Sequence, residues 1–409
     1  MKINLLAGMC GLLLAGSAAA QSLYYVGSEA QETIPLKWVV GMSAFYDDNV
    51  NAGGFGPEQD SFGLNPYVGL SFVTITPQTT WDVYARLGLI YYFDAPPGVD
   101  DVNSQSRLGV NLTHRFSERL RFSSRNFVSY EINPDYSYGY ASSAQTGEYF
   151  FWQSDNSLGY RWSERLATYT GFKLTGTTYA DSANSDNDQV GWEIYNQFRY
   201  QFGPQTVLTA DYRYTPTYSG GNASDYTDQF FLVGAEHRFS PNTIGIVRGG
   251  VQFHDVENGE NYTSPYLEFA MNSQVNQQFS VRAYARYGIE GYDTVQYDQN
   301  AGLVEYNDST ALRLGISSEY VISPTFSVFG GIDYLPTWFE GGESLTTPPY
   351  LGGIPNLEQQ IYNLNLGVSM KFNEMLTGTV SYNFTDSTSD IDGQDYTRNR
   401  INVGLSAEF

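Results

Sequence analysis

The sequence predicts an all-β fold: a transmembrane, antiparallel, up-and-down β-barrel of about eighteen strands, with sixteen as the alternative count. Three observations predict it. Residues 396–409 alternate, with Ile401, Val403, Leu405, Ala407 and Phe409 on one face and Arg398, Arg400, Asn402, Gly404, Ser406 and Glu408 on the other. Period two is the mark of a strand with one apolar face. Short turns recur roughly every 36 to 50 residues between alternating runs, which is a hairpin repeat. The 409 residues are 16% aromatic with a mean hydropathy of −0.34. After the N-terminus no apolar run approaches the roughly 20 residues of a membrane helix, but a strand-built wall escapes hydropathy because half of each strand is polar.

Residues 1–20 read as a secretory signal peptide. Lys2 gives the positive start, Leu5 to Leu14 the apolar stretch, and Ala18-Ala19-Ala20 the small-residue site, with cleavage expected after Ala20. Cys10 is the only cysteine. Met9 stands where lipoprotein processing needs a small residue, so Cys10 leaves with the signal and the mature chain has no thiol chemistry. Residues 21–36 are expected to be a short periplasmic lead. Its Glu32-Thr33-Ile34-Pro35-Leu36 resembles the energy-coupling box of large outer-membrane transporters, but there is no room for the plug domain that those carry.

Residues 37–409 form the expected barrel. The tight turns are Thr76-Pro77-Gln78, Ser117-Glu118-Arg119, Ser163-Glu164-Arg165, Gly203-Pro204-Gln205, Ser240-Pro241-Asn242, Asn276-Gln277-Gln278, Ser323-Pro324-Thr325 and Asn373-Glu374-Met375. Phe116, Trp162, Phe202, Phe239 and Phe372 precede turns, as a girdle at the lipid–water boundary would. Both chain ends fall on this short-turn side, which is expected to face the periplasm. The longer stretches 48–60, 94–103, 132–147, 180–189, 219–225, 255–261, 294–307, 339–358 and 388–395 are rich in Asp, Asn, Gly and Ser and are expected to be extracellular loops. Of these, 339–358 is the longest and is expected to fold into the lumen.

Parity assigns the faces. In 79–93, Trp81, Val83, Ala85, Leu87 and Leu89 oppose Asp82, Tyr84, Arg86 and Gly88. A charge facing mid-bilayer lipid costs about 2 to 4 kcal/mol, so the polar face lines the lumen. The same rule puts Arg86, Arg107, Arg115, Arg121, Arg125, Arg199, Arg213, Arg238, Arg248, Arg282, Arg286, Arg313, Arg398 and Arg400 inside, with Lys173 and Lys371. Asp82, Glu193, Asp211, Glu236, Glu290, Glu319 and Asp333 share those faces. Such rows can stiffen a water-filled barrel as a cross-strand charge ladder, and can also attract anionic or polyhydroxyl solutes.

Residues 40–72 read VGMSAFYDDNVNAGGFGPEQDSFGLNPYVGLSF. A strand ending in Tyr46-Asp47-Asp48-Asn49-Val50, then an acidic residue and a strand with Pro66 and Gly69, resembles the β-barrel porin family of outer-membrane proteins. Terminal Phe409 fits the same class. The resemblance implies a pore-like barrel in the outer membrane of a Gram-negative-type bacterium, with no catalytic residues and no assigned substrate. Its strand count is similar to that of sugar-specific porins.

The expectation is therefore a passive channel for small hydrophilic solutes, without cofactor or resident metal. Its expected partners are outer-membrane lipid, lipopolysaccharide and a barrel-assembly machinery that reads Phe409 as the insertion signal; a homo-oligomer is left open. A formal charge of −23 argues against nucleic acid. The competing readings are a structural or adhesive barrel with a plugged lumen, a polymer-export barrel, and a hydrolase at the outer rim. The last rests on His254 beside Asp255, since His114 and His237 sit by the short turns. Acidic groups at Asp47-Asp48-Asn49, 181–188, and Asp390, Asp392 and Asp395 have oxygen ligands suited to calcium but complete no binding loop.

Overall fold

The computed structural model describes residues 33–409 except 53–57, 96–99, 133–146, 181–185, 258, 292–293, 299, 347–351 and 392–393. The signal peptide, Cys10 and most of the lead lie outside the described residues. The strands are β1 (Ile34–Asp47), β2 (Ser61–Ile75), β3 (Thr79–Tyr92), β4 (Val102–Arg115) and β5 (Leu120–Glu131). There follow β6 (Tyr149–Arg161), β7 (Leu166–Tyr179), β8 (Gln189–Gln201), β9 (Thr206–Ser219) and β10 (Tyr226–Ser240). Next come β11 (Thr243–Val256), β12 (Asn261–Gln274), β13 (Phe279–Ile289), β14 (Val295–Asp298) and β15 (Gly302–Ser323). The chain ends with β16 (Phe326–Ser344), β17 (Leu357–Lys371), β18 (Leu376–Ser389) and β19 (Tyr396–Glu408).

Each strand of the wall pairs antiparallel with the next, β13 with β15, and β19 returns to β1. Eighteen strands make the wall; the four-residue β14 continues the line of β13 along β15. The seam runs in register from Val39↔Glu408 to Asp47↔Arg400. Phe409 ends it: its N–H donates to the Trp38 carbonyl at 2.8 Å, and its carbonyl accepts from the Trp38 N–H at 3.1 Å. Lys37 and Glu408 form an ion pair beside it. β1 begins at Ile34, which pairs with Val73, so Ile34–Leu36 of the expected lead belong to the wall and are not a free coupling box.

All eight tight turns lie where the sequence put them, and the choice of residue has a mechanism. Ser117 Oγ accepts from the N–H groups of Arg119 and Leu120 at 3.2 and 3.0 Å, and Ser163 repeats this with Arg165 and Leu166. Asn276 and Asn373 do the same through Oδ1. Such side chains stand in for a backbone acceptor in a tight turn. The aromatics before the turns, Phe116, Trp162, Phe202, Phe239 and Phe372, are 54–69% exposed, as a girdle should be. His114 and His237 face outward beside them, each hydrogen-bonded to a threonine (Thr79, Thr206) and edge-on to Phe116 or Phe239.

Inside, tyrosine rings lie flat over glycines of the next strand. Tyr195 of β8 crosses Gly171 of β7 and donates to Asp155 of β6 at 2.8 Å. Tyr284 of β13 crosses Gly315 of β15 and reaches Asp333 of β16 at 2.7 Å. A Cβ at either glycine would penetrate the ring. Gly171→Val is therefore expected to destabilise the folded barrel by about 1 to 3 kcal/mol through overpacking. Urea unfolding of the protein in detergent checks this, with an unchanged midpoint as the contrary result.

Candidate functional site

The inward faces assemble into charged rows because the register is continuous. One row crosses six strands: Asp82, Asn111, Arg125, Asp155, Lys173 and Glu193 on β3 to β8 are successive cross-strand partners. Signs alternate along it, which is the favourable order for neighbours about 5 Å apart. Lys173 Nζ lies 3.4 Å from Glu193 and Asn111 donates to Asp82 at 3.3 Å. A second row crosses β11, β12, β13 and β15 as Arg248, Glu268, Arg286 and Arg313.

Glu268 is the centre of the second row. It is wholly buried and accepts from Arg248 at 2.6 Å, from Arg213 at 3.0 and 3.3 Å, and from the Tyr266 hydroxyl at 3.1 Å. A buried carboxylate persists only with this degree of pairing. Asp211, 3.5 Å from Arg248, and the pair Arg199–Glu236 at 2.6 Å extend the network. At the seam, Arg398 Nε lies 3.0 and 3.1 Å from the two oxygens of Asp47, with Arg400 at 3.9 Å. Glu268, Asp47, and Glu131 (the partner of Arg107) were not among the expected lumen acids. Parity on β12 carries the signal for Glu268, since Ser264, Tyr266, Glu268 and Asn272 oppose Pro265, Leu267, Phe269 and Met271.

The wall over β3 to β5 differs. Arg86 stands in register with Arg107, and Arg115 with Arg121. Arg86 stacks over Tyr67 at 3.9 Å and donates to Asn65 at 3.2 Å. Like charges directly across a ladder repel, and the Glu131 carboxylate offsets the charge of Arg107.

Over the mouth lies a cap. The backbone of Ile289 is gripped by the Gln252 carboxamide, which donates to its carbonyl and accepts from its N–H, both at 2.9 Å. The Gly291 carbonyl accepts from Gln189, on β8, five strands round the wall from β13. The β14–β15 hairpin turns at Gly302, whose φ of +74° favours glycine. Glu305 accepts from the Ser224 hydroxyl at 2.7 Å, in the β9–β10 connection. Toward the other wall, Ala301, Val304, Tyr306 and Phe339 pack with Ile391 of the β18–β19 connection. Contacts on both sides place this extension of β14, β15 and β16 across the opening.

This corrects the loop assignment. Residues 294–307 were expected to be an outer loop, yet they contain β14 and the start of β15. Residues 339–358 were the expected inward loop, yet 339–344 complete β16, and Ile354 and Leu357 only buttress the cap. Pro348 and Pro349 lie outside the described residues. On the opposite wall, Tyr84, Phe127, Phe151, Tyr149 and Tyr179 form an inward aromatic cluster that parity alone did not reveal.

The described candidate calcium ligands accept hydrogen bonds from within the chain. Asp47 serves Arg398, and Asp48 accepts from the Asn399 N–H and side chain at 2.6 and 2.7 Å. Asp188, Asp390 and Asp395 accept from the backbone N–H groups of Tyr179, Glu358 and Ser389. Residues 181–185 and Asp392 are outside the described residues. His254 is buried beneath the cap, with Nδ1 2.9 Å from Asp228 and its ring 4.9 Å from that of Tyr226. Its partner is Asp228, not Asp255, and Asp228 also accepts from Gln252 at 2.8 Å. The imidazole thus braces the residue that grips Ile289.

No protein-family model matches the chain, and no curated protein matches it. Among solved structures it is similar to OccAB4 of Acinetobacter baumannii, with 10% identity over 93% of this chain and 100% of that one, at a TM-score of 0.43. The outer membrane protein OpdK of Pseudomonas aeruginosa gives 11% identity over 91% and 99%, at 0.47. OccK2 (OpdF) of the same organism, in complex with glucuronate, gives 11% over 94% and 100%, at 0.46. Likenesses of this strength carry no argument about function, and the barrel rests on its own strand register.

Glu290 ties the cap to the wall. Arg313 Nε lies 2.8 and 2.9 Å from its oxygens, and Arg286 also pairs with it. Burial pushes its carboxyl up, but the two guanidinium groups outweigh this and hold it below the ordinary glutamate range. A carboxylate with a depressed folded-state pKa stabilises fully above its unfolded value of about 4.3 and loses that as pH falls through the folded one. Protection of residues 289–302 against hydrogen exchange, taken relative to the intrinsic rate at each pH, is therefore expected to fall below about pH 4. Glu290→Gln should give the same loss of protection at pH 7, because removing one partner of a buried pair costs about 3 to 5 kcal/mol. Equal protection in all three conditions would contradict this.

Proposed function

We propose that the chain is an outer-membrane channel for passive diffusion of small hydrophilic solutes, with a basic lumen sector that favours anions. One observation carries the reading: a closed wall is apolar outside and charged inside. Trp38, Val40, Met42, Leu87, Val233 and Leu366 are 47–69% exposed on the outer face, whereas the arginine and acid rows occupy the inner one. A polar conduit through an apolar slab serves transfer across the slab. In this reading lipid and lipopolysaccharide surround the wall, and Phe409 is the signal for the assembly machinery.

Selectivity is assigned to the β3–β5 arginines, because Arg86 stands in register with Arg107 and Arg115 with Arg121. Arg199, Arg213, Arg248, Arg286, Arg313 and Arg398 are each paired with a carboxylate. Arg282 and Arg400 line the same lumen. The planar forks of Arg86, Arg115 and Arg121 suit bidentate contact with carboxylates. The second reading, a plugged structural barrel, draws support from the cap and from the near-complete burial of Arg248, Arg313 and Glu268.

Reversal potentials across planar bilayers under a salt gradient test the proposal. The wild type is expected to prefer anions. Replacing Arg86, Arg115 and Arg121 together by glutamine should lower the anion-to-cation permeability ratio several-fold. An unchanged ratio would remove these residues from selectivity, and a barrel that folds but never conducts would favour the plugged reading.

A further inference from the structure

The outer face of β5 and β6 breaks the rule that governs the rest of the wall. Ser124 and Asn126 share a face with Phe122 and Val128, and Ser154 and Asn156 share one with Trp152 and Leu158. These four polar side chains lie at mid-strand and close on themselves. Ser124 Oγ donates to Asn156 Oδ1 at 2.7 Å, and Asn156 Nδ2 to Ser154 Oγ at 3.0 Å. Ser154 Oγ donates to Asn126 Oδ1 at 2.7 Å, and Asn126 Nδ2 returns to Ser124 Oγ at 3.0 Å. The ring is framed by apolar neighbours in register: Val110 and Leu112 on β4, Leu174 and Phe172 on β7. One hairpin further round, Asn196 donates to Thr170 at 2.7 Å, while its own Oδ1 has no hydrogen-bond partner.

Hydrocarbon tails offer neither donors nor acceptors, so polar groups facing them must be satisfied by protein. The ring uses one N–H of each asparagine, and a carboxamide has two. We propose that this patch is the contact face between two copies of the chain. Ser124 and Asn156 are register partners and share one height in the wall; Asn126 and Ser154 share the next. A two-fold axis along the membrane normal sets β5 of one copy against β6 of the other, at unchanged height. Every asparagine then meets a serine of its partner, donor against acceptor, inside the apolar frame. This is the self-complementarity that an isologous contact requires. The inference rests on the membrane reading of the outer face, not on channel activity.

The test is thiol cross-linking in native membranes between differently tagged Ser124→Cys and Asn156→Cys chains produced together. A mixed-tag dimer is expected from this pair and not from Ile316→Cys with Ile332→Cys, register partners on the far wall. Equal cross-linking at both walls, no mixed dimer from folded barrels, or cross-links to another protein alone would each overturn the proposal. The double variant Asn126→Leu, Asn156→Leu should keep the heat-sensitive gel mobility of a folded barrel and lose the dimer; a dimer retained in it would also overturn the proposal. If that variant does not fold, the cysteine pair decides. Recovery of the chain in the soluble fraction would instead defeat the membrane reading itself.

Discussion

The structure depends on one closure, the pairing of β19 with β1. In hydrocarbon an unpaired backbone N–H or carbonyl has no partner, so a sheet can cross a membrane only when its two edges meet. Here they meet in register from Val39↔Glu408 to Asp47↔Arg400, with Trp38 and Phe409 exchanging the last backbone bonds. The seam also sets the parity of the whole wall. With the register of β1 and β19 given, each tight turn passes the inside–outside alternation to the next strand. A slip of one residue at the seam would turn the arginine rows toward lipid.

That parity explains why the lumen chemistry is ordered. Charges confined to one face of a continuous ladder must stand beside one another, and alternating signs are the arrangement that tolerates burial. The row from Asp82 to Glu193 and the fork of Arg213 and Arg248 on Glu268 are that arrangement. Arginine stands in register with arginine over β3 to β5, and again at Arg286 and Arg313, where Glu290 bridges the two charges. The outward ring on β5 and β6 breaks the parity of the wall. A ladder of alternating charge and a sector of arginines in register can therefore coexist in one lumen.

Much of this was legible in the sequence, and what was not has a common cause. Alternation and turn residues are local, so the eight turns, the terminal strand and the inward arginines could be read from neighbours in the chain. The cap could not. Within residues 294–307 the stretch from Asp298 to Gly302 reads as loop, and the hairpin that it closes is held in place by partners far away in sequence: Glu305 reaches Ser224, and Gln296 reaches Gln394 at 3.4 Å. Asp47 read as a candidate calcium ligand because Tyr46-Asp47-Asp48-Asn49 has turn composition, whereas its partner Arg398 lies at the other end of the chain. Glu268 was within reach of parity, and Pro265 sits on the outward face of its strand, obscuring the alternation without interrupting it.

The account centres on a polar conduit narrowed by the β14–β16 extension. Its most direct test is the single-channel conductance of the purified protein beside a variant in which residues 290–301 are replaced by a short turn. The account predicts small, steady steps from the wild type and steps several-fold larger from the variant. Equal conductance would show that the extension does not lie across the path of ions, and silence from both folded proteins would contradict the conduit itself.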